Sequence, residues 1–76
     1  MNAIYYFSFN NEGETQEHLR KIFASSYINA IEKACVILEE VNEEVDLLGL
    51  DNWEDVQDEC ANHGLYVSDL TEDFDE

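Results

Sequence analysis

The chain has 76 residues, of which 45% are hydrophobic, including four Tyr, four Phe and one Trp, which is enough for one small folded domain and too apolar for a disordered chain. Nineteen acids against three bases give a formal net charge of -16 at pH 7, which repels phosphate and argues against direct nucleic-acid binding. The longest apolar runs, such as Ile4 to Phe7 and Cys35 to Leu38, fall far short of the roughly 20 residues a bilayer-spanning helix needs, so no membrane association is expected.

In chain order, the aromatic-rich run Ile4-Tyr5-Tyr6-Phe7-Ser8-Phe9 reads as a strand, ended by the turn chemistry of Asn10-Asn11-Glu12-Gly13. Residues 19 to 24 read as a returning strand, which makes an antiparallel hairpin with a long loop. Ser25 and Ser26 are candidate N-caps for a helix from about Tyr27 to Val41, where Tyr27, Ile31, Ala34, Leu38 and Val41 recur at helical spacing. Residues 45 to 50 are a short apolar run containing Gly49, expected to be a buried connector. Asn52, with Asp55 three residues on, marks a second helix that turns Trp53, Val56 and Cys60 inward and stops at Gly64. Leu65-Tyr66-Val67 is a short strand added to the hairpin.

The expected architecture is therefore α+β: a small antiparallel sheet of about three strands in the order β-β-α-α-β, covered on one face by two helices. Residues 1-70 form the domain and residues 71-76 an acidic C-terminal tail. Two cysteines at apolar helix positions are expected to be buried structural thiols rather than a disulfide framework. The N-terminus lacks the basic region and cleavage site of a secretory signal, so a cytoplasmic location is expected.

The charge is unevenly placed. Residues 1 to 38 hold four acids (Glu12, Glu14, Glu17, Glu32) and all three bases (Arg20, Lys21, Lys33), while residues 39 to 76 hold fifteen acids and no Lys or Arg. Such self-repulsion destabilises a compact state and needs a reason beyond solubility. Two four-acid sets stand out, Glu39, Glu40, Glu43 and Glu44, then Glu54, Asp55, Asp58 and Glu59, each with two i,i+4 pairs. On helices these neighbours lie about 5 to 6 Å apart at Cβ, where like charges repel by a few tenths of a kcal/mol. With Asp46 and Asp51 they form a candidate partner-binding face, comparable in charge density to a duplex with one phosphate per roughly 1.7 Å. A protein that grips phosphates with Lys and Arg can grip this face instead.

Metal and catalytic chemistry find little support. No window meets the acid and Gly spacing of a calcium loop, and Cys60 and His63 have only the isolated Cys35 and His18 as further soft ligands, so no metal or other cofactor is expected. There is no nucleophile-base arrangement with a supporting motif and no phosphate-cradling glycine loop, and acids on exposed helix faces keep ordinary pKa values. The chain does not read as an enzyme. Tyr5, Tyr6, Phe7 and Phe9 cannot all face one side of a strand, so the outward ones are either open for recognition or covered by the loop.

In its size, in the acid-only run from Glu39 to Glu76, and in its hairpin-then-helix opening around Tyr5 and Ala30 to Ala34, the chain resembles a functional class. That class is the small, acidic, phage-encoded inhibitors that include many anti-CRISPR proteins and DNA mimics. The resemblance implies binding to the Lys/Arg groove of a CRISPR effector complex, which occludes target DNA, and a location in the cytoplasm of a bacterial host. The alternative is an acidic antitoxin or immunity protein that neutralises a basic nuclease or other toxin. A third reading is an accessory subunit whose charge speeds association with its complex.

Overall fold

Alternation of buried and half-buried residues along β1 (Ala3–Asn11) decides the architecture: Tyr5, Phe7 and Phe9 are buried, while Ile4, Tyr6, Ser8 and Asn10 face the other way. In the computed structural model, which describes residues 3 to 73, β1 is the central strand of an antiparallel sheet. β2 (His18–Ala24) lines one side of it, with Tyr5 opposite Ile22 and Phe9 opposite His18. The other side is shared by β3 (Leu65–Val67), which pairs with residues 9 to 11, and β4 (Thr71–Asp73), which pairs with residues 4 to 6.

Two helices cover the inward face. α1 (Tyr27–Val41) packs over β2 and α2 (Trp53–Asn62) over β3. Ser26 caps α1 by accepting the Asn29 N–H at 3.1 Å, and Asn52 caps α2 by accepting the Glu54 N–H at 2.8 Å. Of the residues expected to face the core from α1, Ile31, Ala34 and Leu38 do so, joined by Ala30 and Cys35. Tyr27 and Val41, at the helix ends, are exposed. From α2, Trp53, Val56 and Cys60 point inward, and the Trp53 ring meets Phe7 edge-on at 5.5 Å. Each such large side chain contributes about 1.5 to 3 kcal/mol on burial. Gly64, at φ +77, ends the helical turn in the left-handed conformation that a side chain would resist.

The architecture is the expected α+β fold with one strand more. Three of the six residues read as an acidic tail, Thr71–Asp73, pair with β1; residues 74 to 76 lie outside the described residues. Between Val67 opposite Phe9 and Thr71 opposite Tyr6 the outer strand advances four residues while β1 advances three, so one extra residue bulges at Asp69-Leu70. The bulge shifts the alternation by one and turns Leu70 into the core. Ser68 anchors its start by exchanging hydrogen bonds with Ser8: its N–H donates to the Ser8 carbonyl and its Oγ accepts the Ser8 N–H, both at 2.8 Å. From α2, Trp53 Nε1 donates to the Ser68 carbonyl at 2.9 Å and Gln57 Nε2 to the Val67 carbonyl at 3.0 Å.

Cys35 and Cys60 are both free and buried in the core. Burial, reinforced by Glu39 and Glu32, pushes the Cys35 thiol up to about 11. Burial, reinforced by Cys35 and Glu59, pushes Cys60 up to about 12. Both thiols therefore stay protonated in the folded chain at pH values where an unfolded thiol, near pH 8.5, ionises.

Two predictions follow from this packing. Trp53→Phe keeps a ring against Phe7 but leaves the Ser68 carbonyl unpaired, and is expected to cost about 1 to 3 kcal/mol in urea unfolding. The thiols contribute fully below about pH 8.5 and their contribution is lost as pH rises from there toward their folded values. Alkaline loss of stability should therefore be less steep in Cys35→Ala/Cys60→Ala than in the native chain, as measured by urea unfolding from pH 7 to 10.

Candidate acidic partner-binding surface

α2 carries one acidic set on its outer side because Trp53, Val56 and Cys60 claim the inner one. Glu54, Asp55, Asp58 and Glu59 all lie within the helix, so the pairs Glu54/Asp58 and Asp55/Glu59 are i,i+4 neighbours as expected. The macrodipole favours Glu54 and Asp55 in the first turn. It opposes charge toward the C-terminal end, where no Lys or Arg compensates.

The other set is arranged differently from the helical pairs read in the sequence. α1 ends at Val41, and Asn42 terminates it; its N–H still bonds to the Leu38 carbonyl, while its side-chain oxygen accepts the Glu44 N–H at 3.0 Å. Glu43 and Glu44 therefore sit in a turn, and Glu39/Glu43 and Glu40/Glu44 are not helical i,i+4 pairs. The physical reason is local: the Asn side chain offers the backbone an alternative to continuing the helix.

The ten acids also differ in availability. Glu40, Glu43, Glu44, Asp46, Asp51, Glu54, Asp55 and Asp58 are exposed, whereas Glu39 and Glu59 are half-buried. Glu39 Oε2 accepts the Leu47 N–H at 3.0 Å, which pins the connector to α1. Asp46 Oδ1 accepts the Leu48 N–H at 3.2 Å. Glu59 Oε2 lies 3.1 Å from His63 Nε2, and Glu44 Oε2 lies 3.9 Å from His63 Nδ1. His63 thus joins the two acidic sets, helped by Asn42 Nδ2 donating to its carbonyl at 3.4 Å. No sequence pattern announces that junction, since Asn42 and Glu44 lie in the turn after α1 and His63 at the end of α2.

Among the described residues, the carboxylates that lie within 4 Å of a basic side chain all meet histidine rather than Lys or Arg: Glu14 beside His18, and Glu44 and Glu59 beside His63. The three Lys and Arg side chains gather instead on the β2 side. Lys33 Nζ donates to the Phe23 carbonyl at 2.6 Å, Arg20 Nη1 donates to the Leu19 carbonyl at 2.9 Å, and the Arg20 guanidinium sits 5.3 Å from the centre of the Phe9 ring. These bases blunt an edge strand rather than neutralise the acids. A groove of about 430 Å³ at the start of α2 places Tyr27 with Asp51, Glu54 and Asp69.

The aromatic surface left over by the strand is also located. Tyr6 lies on the uncovered face of the sheet, with the exposed Leu19 and Phe23 of β2 and Tyr66 of β3 on the same side. Among the described residues, no group of three or more His, Cys, Asp or Glu side chains is disposed to hold a metal ion. No helix among the described residues is long and apolar enough to cross a membrane. No known protein family, curated protein or solved structure significantly matches the chain.

Unneutralised carboxylates repel, and salt screens them with a Debye length of about 10 Å at 0.1 M and about 3 Å at 1 M. Raising NaCl from 20 mM to 500 mM is expected to raise the melting temperature by several degrees. A flat or falling melting temperature would mean that the acidic surface is not under repulsive strain.

Proposed function

We propose that this protein is an acidic inhibitor that occupies the positively charged nucleic-acid-binding surface of a partner protein, as a decoy for nucleic-acid phosphates. The observation that carries this reading is the placement of charge. Eight exposed carboxylates of the candidate set lie on the α1 end, the connector and α2, and every Lys and Arg is on the β2 side. Repulsion tolerated in isolation becomes attraction when Lys and Arg side chains of a partner meet the same surface, and counterions are released as they do with phosphate. A CRISPR effector complex, whose strands run in positive channels, is the partner class that fits the decoy best. Binding would then be steric and electrostatic, with no chemical step.

Glu59 holds His63, so a charge reversal that leaves this contact alone is the cleaner test. Glu54→Lys/Asp55→Lys/Asp58→Lys is expected to keep the circular-dichroism spectrum and to weaken inhibition of target-DNA binding by a CRISPR effector at least tenfold in an electrophoretic shift assay. Native inhibition should fall as NaCl rises. A folded triple variant that inhibits like the native chain removes α2 from the site. Recovery of a single basic toxin as the salt-released partner would move the reading to an antitoxin.

A further inference from the structure

The outer side of α1 carries a second surface that the charge reading leaves unused. Ile28, Glu32, Val36 and Glu39 fall along one stripe of the helix, and the turn at residues 47 to 51 rises beside them to leave a groove of about 330 Å³. Its walls are apolar and open: Ile28 is 55% exposed, Val36 56% and Leu48 90%. Glu32, Glu39 and Asp51 stand around it, and no Lys or Arg lines it.

The exposure of Leu48 is imposed by hydrogen bonds rather than by looseness of the chain. Leu50 N–H bonds to the Leu47 carbonyl at 3.2 Å, which closes a four-residue turn with Leu48 second and Gly49 third. Gly49 has φ +84, the positive value that the third residue of a type II turn requires. Asp46 accepts the Leu48 N–H and Glu39 accepts the Leu47 N–H, so the first half of the turn is tied down. A nearly bare leucine held in a fixed place opposite two further apolar side chains is preorganised for contact.

We propose that this groove binds a basic amphipathic helix of the partner, with its apolar side chains between Leu48 and the Ile28/Val36 wall and its flanking Lys or Arg residues on the exposed Glu32 and Asp51. The stripe from Ile28 to Glu39 is about 16 Å long at 1.5 Å per residue, the length of three helical turns, which suits a helix laid alongside rather than a single inserted side chain. Charge selects the occupant. A second copy of this chain brings its own net charge of -16 to a rim that is already acidic, whereas a basic helix neutralises that rim. This inference deepens the inhibitor reading and rests on it for the charge of the partner.

The test uses two synthetic 18-residue Leu/Lys peptides of identical composition, one with its leucines on a single helical face and one scrambled, titrated calorimetrically into the full chain in 150 mM NaCl. The amphipathic peptide is expected to bind at least tenfold more tightly than the scrambled one. Val36→Ser/Leu48→Ser, at two exposed positions, should abolish that preference, and Glu54→Lys/Asp55→Lys/Asp58→Lys should retain it. Equal binding of both peptides to the native chain, or a preference that survives Val36→Ser/Leu48→Ser, overturns the groove and leaves the acidic-face reading standing. A preference that holds while the α2 triple variant inhibits normally supports the groove and removes α2 from the inhibitor site. A dimer in sedimentation equilibrium that Val36→Ser/Leu48→Ser dissociates assigns the groove to a second copy and overturns the proposal.

Discussion

Tyr5, Phe7 and Phe9, two residues apart on the one strand with neighbours along both sides, provide the plane on which both helices pack. The arrangement has to be strong because the rest of the chain works against compaction: a net charge of -16 on 76 residues repels itself at every approach. Apolar burial is short-ranged and insensitive to that charge, provided the acids stay at the surface. Among the described residues no charged side chain is buried, and no buried side-chain polar atom lacks a hydrogen-bond partner.

From β1 outward the molecule divides laterally. α1 lies over β2, where all three bases are used to hold edge carbonyls or face solvent, and α2 lies over β3 with its acids outward. The polarity along the sequence thus becomes a polarity across the sheet. Two of the carboxylates are diverted to structural work. Glu39 pins the connector and Glu59 holds His63, so the surface offered to a partner is smaller and more sharply defined than the acid count implies.

Elements with a strong periodic signal were legible. The strand at Ile4 to Phe9, the capped helix from Tyr27 to Val41, the helix opened by Asn52 and the strand after Gly64 all stand where residue pattern and cap chemistry place them, within the usual boundary drift. β4 was not, because Thr71-Glu72-Asp73 is short and acidic and the bulge at Asp69-Leu70 breaks the two-residue alternation that would link it to β3. It is a strand because β1 extends beyond β3 and presents unpaired backbone groups there. The acidic set of α2 could be read as a helical face, since inward Trp53, Val56 and Cys60 leave it no other side. The set at Glu39 to Glu44 could not, since the stop at Asn42 depends on one side chain choosing the backbone over solvent.

What the sequence by itself determined is the composition of the core, the sidedness of the strongest elements and the confinement of positive charge to the first half of the chain. Periodicity and charge count are properties of the chain alone, and burial and repulsion act on them wherever they end up. Only the tertiary structure decided which acids remain free, that His63 links Glu44 to Glu59, and that Leu48 stands out beside Ile28 and Val36. Those outcomes depend on turns and on contacts between segments far apart in sequence, where a single hydrogen bond worth about 1 kcal/mol selects one arrangement among several that the same residues would permit.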